Sequence, residues 1–277
     1  MDFKELANSA IKAAKAAGAV IRNAAKDNVA VDHKDGGTNY ASQVVTEIDR
    51  ECDGIIREIL KPISEKYDIA FLTEELPDDG SRLKKDCFWC VDPLDGTLAF
   101  IRKEPGYAVS IALVSKEGIP LIGVVYNPTS DLLYHAIKGS GVFRNNQSWQ
   151  PRSTDNKVLS FISDKLLHEI PNAEQIRAKI DIQVNDYQLL VKKECFGGGA
   201  VWNAIRVIEE APACMIKTPK EEKGGGSLWD YAATTCIFNE LELQATNFHG
   251  GPLDLNKASD TYMNHEGVFF SSVELSR

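Results

Sequence analysis

The residues best suited to chemistry lie in the stretch 89–97, which reads WCVDPLDGT. Two carboxylates, Asp92 and Asp95, flank the dipeptide Pro93-Leu94, and the proline ring biases Asp92 toward an extended backbone. Hard divalent cations prefer carboxylate and carbonyl oxygens, and the free N–H groups at a helix start attract phosphate. The order of apolar strand, acidic turn and helix start therefore suits a cation that faces a phosphate, although Asp-Pro and Asp-Gly are also common turn dipeptides.

Three other short segments carry acids where helices or strands are predicted to begin or end. Residues 45–49 read VTEID and open a predicted helix, residues 73–75 read TEE and follow a predicted strand, and residues 229–233 read WDYAA and begin another helix. Each segment also has an ordinary explanation, because acids at strand ends face water and acids in a first helical turn complement the helix dipole. Taken one at a time, none of these three segments predicts a functional site.

Hydrophobic periodicity predicts two long helices and then a run of strands in residues 1–150. Apolar residues recur at helical spacing over residues 3–25 and again from Thr46 to near Pro62. A polar, glycine-containing loop at 32–42 lies between the two predicted helices. Short apolar runs that predict strands lie at 69–73, 88–91, 107–115, 119–126, 132–137 and 142–143. Helices followed by strands are typical of an α+β arrangement.

A polar segment at 145–156 separates this part from residues 151–277, and we place a domain boundary there. Strand-like and helix-like segments then alternate at 158–162, 174–180, 194–196, 200–210, 214–216 and 228–238, which predicts a layered α/β half. The glycine runs 197–199 and 224–226 precede two of these helices, and each is either an anion cradle or a tight turn.

The composition argues against some classes of binding partner for the protein. Lys and Arg number 31 against 40 Asp and Glu, so the formal net charge is −9, which argues against a binder of nucleic-acid polymers. The sequence shows no secretory signal and no apolar stretch of bilayer length, so we expect a cytoplasmic protein without a membrane partner. Six scattered cysteines in mostly apolar segments predict reduced core thiols, and Cys87 and Cys90 would face opposite ways on one strand.

Considered together, the four acidic segments resemble, in order and spacing, the inositol monophosphatase superfamily of magnesium-dependent, lithium-sensitive phosphatases. That superfamily also contains 3′(2′),5′-bisphosphate nucleotidases and fructose-bisphosphatases. The resemblance covers nearly the whole chain, and the DPLDGT and WDYAA stretches carry most of it. It implies a layered αβαβα sugar-phosphatase fold, a phosphoric monoester hydrolase that acts on a small phosphorylated metabolite, and in many members a homodimer.

The resemblance also implies a metal-binding set, position by position. Glu74, Asp92 and the carbonyl of Leu94 match the family's ligands for a first Mg²⁺. Asp92, Asp95 and Asp230 match the ligands for a second. A third ion is left open, because residues 42–44 read SQV where the family has an acid.

Catalytic and substrate-binding roles follow from the same resemblance. Thr97 and Asp49 match the pair that orients and deprotonates the attacking water, with Glu74 counted beside them as catalytic. The amides of Gly96 and Thr97 match the phosphate cradle. The full substrate-binding set implied is Asp95, Gly96, Thr97, Gly198, Gly199, Ala200 and Lys217.

Lys217 departs from the family pattern, because it stands where inositol enzymes have the acid that grips substrate hydroxyls. An ammonium group accepts no hydroxyl proton, but it can hold a second phosphate or a carboxylate. We therefore predict a magnesium-dependent phosphomonoesterase of a small polyol or sugar phosphate, such as inositol monophosphate. The alternatives are a 3′(2′),5′-bisphosphate nucleotidase, which Lys217 favours, and a non-catalytic binding protein on the same fold.

Overall fold

The structure is a computed structural model of the chain, and it describes residues 1–25, 47–151, 157–170, 172–189, 191–223 and 226–273. At 31–33, 44–46 and 191–192 it describes the backbone alone. Three features predicted from the sequence therefore lie outside the described residues, namely most of the loop at 32–42, the acid-lacking segment around Ser42 and Gln43, and the first two glycines of the run 224–226.

The described residues form helices and strands in a mixed order. The α-helices are α1 Phe3–Ala24, α2 Glu47–Tyr67, α3 Thr97–Ile101, α4 Ala173–Asp186, α5 Ala200–Glu209 and α6 Leu228–Glu240. The first strands are β1 Val31–His33, β2 Val44–Thr46, β3 Ala70–Thr73, β4 Cys87–Asp95, β5 Ala108–Ser115, β6 Pro120–Asn127 and β7 Leu132–Ile137. The remaining strands are β8 Gly141–Arg144, β9 Gln147–Ser148, β10 Val158–Ser163, β11 Val191–Phe196, β12 Ala213–Lys217, β13 Gln244–Thr246 and β14 Val268–Ser271.

The strands form two large mixed sheets and one small hairpin, β1-β2. The first large sheet has the order β3-β4-β5-β6-β7-β8-β9, and only its β3–β4 pair is parallel. The second has the order β11-β10-β12-β14-β13, with β10 parallel to both of its neighbours. The parallel pairs matter for the site, because the carboxyl ends of parallel strands meet at one edge of a sheet.

Strand alternation sorts the apolar side chains into three cores and hence five layers. Trp89 and Val91 face α1 and α2, whereas Phe88 and Cys90 face α5, α6 and the second sheet. The outer face of the second sheet packs against α4. This αβαβα arrangement confirms the fold class that the sequence resemblance implied.

The division into residues 1–150 and 151–277 stays a prediction. Helix α6 belongs to the second part of the sequence, yet it packs against β4, β5, β6 and β7 of the first sheet. The central core is therefore built from both parts of the chain. None of the helices among the described residues is both long and apolar enough to cross a membrane.

Several predicted element ends were wrong, among them the end of α4, which continues past Ile180 to Asp186, and the start of β11, which lies at Val191 rather than Glu194. Helix α2 does not stop near Pro62 but continues to Tyr67, because Ser64 in its last turn is buried and accepts a hydrogen bond from the Trp89 indole at 2.9 Å. Asp92 and Asp95 are not in a turn after β4 but in its last residues. The strand at Leu132–Ile137 was predicted with its observed bounds.

Candidate active site

Asp92 and Asp95 lie at the carboxyl end of β4, where the strand carries one extra residue. Asp92 pairs with Ser110 and Asp95 with Ala108, so three steps on β4 oppose two on β5. The bulge includes Pro93, which has no N–H to donate to a ladder. All nine residues of β4 are buried, so the two carboxylates are held inside the protein rather than in solvent.

Asp230 approaches the same place from the start of α6. It is the third residue of that helix, as predicted, and it accepts a hydrogen bond from the Ser227 amide in a capping box. One oxygen each from Asp92, Asp95 and Asp230 lies within 4.8 Å of the others. We call these three residues the aspartate cluster.

Glu74 and Asp49 surround this cluster. Thr73 pairs with Val91 in the parallel β3–β4 register, and the Glu74 amide donates to the Val91 carbonyl at 3.1 Å, which places Glu74 beside Asp92. Asp49 lies in the first turn of α2 and is only 3% exposed. The charges of both acids act on Asp92, so the structure brings them into the region of the cluster, and their roles stay predictions.

The electrostatics of the cluster are unfavourable without a cation. Burial raises the pKa of Asp92 well above its usual range, and the nearby carboxylates of Glu74, Asp95, Asp230 and Asp49 raise it further. Such acids are stabilised together either by protonation or by a bound cation. A buried set of carboxylate oxygens fits Mg²⁺ or Ca²⁺, which both prefer oxygen ligands.

Asp95 has a second role that the sequence did not predict. Its carboxylate accepts hydrogen bonds from the amides of Ala200 and Val201 at 3.0 Å each, and from Trp202 at 3.4 Å, so it caps the start of α5. Burial and Asp230 raise the pKa of Asp95, whereas the capping amides and Lys217 lower it, and the net shift is upward. The cap fixes the end of β4 against the second sheet.

Glycines allow this close approach of β4 and α5. The Gly199 amide donates to the Gly106 carbonyl at 2.8 Å. A Cβ on Gly199 would lie 2.2 Å from an Asp95 oxygen, and a Cβ on Gly106 would lie 2.6 Å from the backbone of Gly198. Gly198 and Gly199 were singled out from the sequence, but Gly106 was not, because a single glycine before a strand carries little signal.

The backbone of the 92–97 segment is fixed by its own hydrogen bonds. The Leu94 amide donates to Asp92 at 3.0 Å, and the Thr97 hydroxyl donates to the Leu94 carbonyl at 3.1 Å. Gly96 has a φ of +83°, which suits glycine, and the short helix α3 begins at the next residue. The carbonyl that was assigned to a metal thus already accepts one hydrogen bond, and its second lone pair can still bind a cation.

Lys217, the last residue of β12, lies near enough to Asp95 and Asp230 of the cluster to interact with their charges. Its ammonium nitrogen is 3.8 Å from a carboxylate oxygen of Asp164, which follows β10. Burial opposes the charge of Lys217, but Asp164, Tyr231, Asp230 and Asp95 outweigh that effect and raise its pKa. Asp164 was missed from the sequence, although its place two residues after a predicted strand is where site residues often occur.

The cysteines take no part in the site. All six are free and buried, as predicted for core thiols, and Cys87 and Cys90 pack into different cores on opposite faces of β4. Burial raises the pKa of Cys214 to about 12, which keeps that thiol protonated at neutral pH.

Comparison with known proteins agrees with this geometry. The model of the inositol monophosphatase family matches residues 2–273. Inositol monophosphatase 2 of Solanum lycopersicum is 34% identical over 259 residues, which cover 91% of each chain. The inositol monophosphatase structure from Thermotoga maritima has a TM-score of 0.70 at 21% identity and covers 98% of this chain and 92% of that one.

A further structure, SaIMPase-II with 2′-AMP bound, has a TM-score of 0.69 at 25% identity, and the match covers 97% of this chain and 89% of that one. The family match spans nearly all of the chain, and the acidic segments that suggested the family converge in space. The chain belongs to the inositol monophosphatase family and is a phosphoric monoester hydrolase.

Proposed function

We propose that this hydrolase releases phosphate from a small polyol or sugar phosphate, with inositol monophosphate as the first candidate. The observation that carries the proposal is the aspartate cluster, in which the buried Asp92 and Asp95 of β4 and the half-buried Asp230 of α6 have carboxylate oxygens within 4.8 Å of one another. The names of the relatives support the substrate class, since the matched curated proteins are inositol monophosphatases.

Magnesium is the cofactor that the residues fit, and the family depends on it. We assign Glu74, Asp92 and the Leu94 carbonyl to one Mg²⁺, and Asp92, Asp95 and Asp230 to a second. When bound, these ions would supply positive charge to the phosphate oxygens and acidify the attacking water. The carboxylates would then be held ionised, which offsets the mutual repulsion that raises the pKa of Asp92.

We assign the handling of the water to Thr97 and Asp49. Thr97 has a hydroxyl already oriented toward the Leu94 carbonyl, and its oxygen retains lone pairs that can accept a hydrogen bond from the attacking water. Asp49 is buried, its charge acts on Asp92, and it can take the proton of the water as general base. Glu74 would assist as a carboxylate ligand of the first Mg²⁺.

The substrate phosphate would bind at the amides of Gly96 and Thr97, and the leaving group would contact the turn formed by Gly198, Gly199 and Ala200. The turn is already rigid, because Gly199 donates to Gly106 and Ala200 donates to Asp95. Preformed amide donors stabilise the charge of a transferring phosphoryl group without reorganisation cost.

A nucleotide is the second candidate substrate. Lys217 brings positive charge to Asp95 and Asp230 of the cluster, which favours a 3′(2′),5′-bisphosphate nucleotidase. The structure of SaIMPase-II with 2′-AMP supports this candidate, because it shows a related fold with a nucleotide bound. The homodimer and the cytoplasmic location expected from the sequence stay predictions.

The test is a phosphate-release panel with purified protein, comparing inositol monophosphates, adenosine 3′,5′-bisphosphate and fructose 1,6-bisphosphate with Mg²⁺ or with a chelator. We expect Mg²⁺-dependent release that Asp230→Asn lowers by about a thousandfold. The matched control is Glu240→Gln, because Glu240 lies on the same helix and also accepts backbone amides, from Gly139 and Gly141 at 2.8 Å. Binding without release from any substrate would instead identify a non-catalytic protein.

A further inference from the structure

The carboxyl ends of three parallel strands form an edge beside the aspartate cluster. Strands β11, β10 and β12 are adjacent and parallel, and they end at Phe196, Ser163 and Lys217. Crevices outside the carboxyl ends of parallel strands are common ligand sites. The residues at this edge are therefore candidates for contact with the leaving group of the substrate.

Strand alternation decides which of these side chains face the cluster. Ile162 and Met215 are register partners and both pack into the central core with α5 and α6. Lys217 is two residues after Met215, and Asp164 is two residues after Ile162, so both point to that same side. Phe196 pairs with Ser163 and points to the opposite face of the sheet. Its side chain is 63% exposed.

Lys217 interacts electrostatically with two acidic groups, Asp164 and the aspartate cluster. Its ammonium nitrogen is 3.8 Å from Asp164, which is beyond hydrogen-bond distance, and its charge acts on Asp95 and Asp230 of the cluster. The Lys217 side chain is 24% exposed and that of Asp164 is 44% exposed, so both are in contact with solvent.

The backbone that carries Lys217 is rigid. A Cβ on Gly267 would lie 2.3 Å from the Lys217 carbonyl, so the chain around 267 packs tightly against the end of β12. The following residues are also fixed, since the Lys220 amide donates to the Asn264 carbonyl at 2.7 Å and the Asn264 side chain donates back at 3.1 Å. A charge on a rigid support discriminates between ligands better than one on a mobile loop.

We propose that Lys217 binds a second anionic group, a phosphate or a carboxylate, on the leaving group of the substrate, and that Asp164 weakens this binding by competing for the same ammonium. The inference rests on the proposed release of phosphate, selects the nucleotide candidate over inositol monophosphate, and makes Lys217 the specificity-determining residue of the site. A neutral polyol would gain little from it, because an ammonium group donates hydrogen bonds but accepts none.

The first experiment compares two substrates that share a scissile 3′-phosphate, 3′-AMP and adenosine 3′,5′-bisphosphate. We expect wild-type protein to prefer the bisphosphate in kcat/KM by about tenfold or more, the usual worth of a charge-assisted hydrogen bond. Lys217→Met removes the preference, Lys217→Arg retains it, and Asp164→Asn increases it by about threefold.

The control is Lys257→Met, which leaves the preference unchanged. Lys257 forms a similar loose pair with Asp260 at 3.5 Å and is 21% exposed, but it lies close to Asn256, which packs against Gly118 at the far end of β5. Equal preference in the wild type and in Lys217→Met, or an equal loss on both substrates, would overturn the inference. Should Lys217→Met fail to fold, the opposite shift in Asp164→Asn decides the question.

A binding measurement separates this inference from the proposed function. Calorimetric titration with 5′-AMP, which carries only the second phosphate, is compared with titration by adenosine. We expect 5′-AMP to bind wild-type protein at least about tenfold more tightly than it binds Lys217→Met. If the two proteins differ in their affinity for 5′-AMP but no phosphate is released from any substrate, only the proposed function is refuted. If wild type and Lys217→Met bind 5′-AMP with equal affinity, the role of Lys217 is refuted.

Discussion

Two buried polar clusters in this protein have opposite electrostatic character. Arg82 is 1% exposed, and its guanidinium donates to Asp78 at 2.8 Å and to the Asn256 side chain at 2.6 Å. Asn256 in turn donates to the Lys116 carbonyl at 2.8 Å. The charges of this cluster cancel, and its strong donors have acceptors. The aspartate cluster, in which Asp92 and Asp95 are buried and Asp230 is half-buried, combines carboxylates of one sign.

The difference shows how a structural cluster is distinguished from a functional one. Buried charges are ordinarily paired, because an uncompensated buried charge costs several kcal/mol. The Arg82 cluster follows this rule and joins three segments, those around Arg82, Lys116 and Asn256. The aspartate cluster violates it within the protein, and a cation supplied from solution would restore the balance. Local destabilisation of this kind is the recurring cost of a functional site.

The largest expected effect is that of Asp92→Asn. Phosphate release should fall by at least about a thousandfold, because Asp92 is assigned to both metal positions. The metal-free variant should also be more stable than wild type, by about 1 kcal/mol or more, since the buried repulsion is relieved. Asparagine keeps an oxygen for the Leu94 amide, which now donates to Asp92 at 3.0 Å.

Phosphate-release assays and urea unfolding in the presence of a chelator measure the two effects of Asp92→Asn. If Asp92→Asn loses both activity and metal-free stability, the Asp92 carboxylate has an ordinary structural role. Wild-type activity would remove Asp92 from the catalytic assignment altogether.

Arg82→Met tests the other cluster and should give the reverse pattern. It leaves the buried Asn256 side chain without its charged donor and Asp78 without its partner, so we expect a loss of about 2 kcal/mol in the free energy of unfolding. The kcat measured well below the melting temperature should remain within about twofold of wild type, because the change does not touch the site. A kcat that falls in parallel with stability would show that the two clusters are coupled.

The smallest expected effect is a pH dependence of magnesium stabilisation. The pKa values of Asp92 and Asp95 are raised by burial and by neighbouring acids, so the folded, metal-free protein holds more protons than the unfolded chain above about pH 4. Its stability therefore falls as the pH rises from there through the raised pKa values.

Magnesium holds the same carboxylates ionised and removes this loss. The increase in Tm on adding Mg²⁺ should consequently be larger at about pH 8 than at about pH 5, as thermal scans at both pH values would show. The Arg82 cluster should contribute no such dependence on magnesium. An increase that is equal at the two pH values would contradict the raised pKa values.

The sequence predicted the position of the acids better than their surroundings. Asp92, Asp95 and Asp230 could be identified because apolar periodicity places them at a strand end and a helix start, and their order matches a family. The layered fold followed from the same resemblance. The end of α2 beyond Pro62 could not be predicted, because the helix continues through a tertiary hydrogen bond between Trp89 and Ser64.

Features that depend on long-range packing were also missed. The capping of α5 by Asp95 joins residues that are 105 to 107 positions apart. The approach of Gly106 to Gly198 and the pairing of Asp164 with Lys217 likewise depend on how the two sheets are placed. No local pattern encodes such contacts, because each residue alone is compatible with an ordinary turn or strand end.

The central claim is that the aspartate cluster binds a divalent cation needed for phosphate release. Calorimetric titration of Mg²⁺ into chelator-treated protein, with wild type and Asp230→Asn compared side by side, tests it most directly. The account predicts saturable binding to wild type and its loss or marked weakening in the variant, in proportion to the loss of phosphate release. Phosphate release by a wild-type protein that binds no Mg²⁺ would contradict the account.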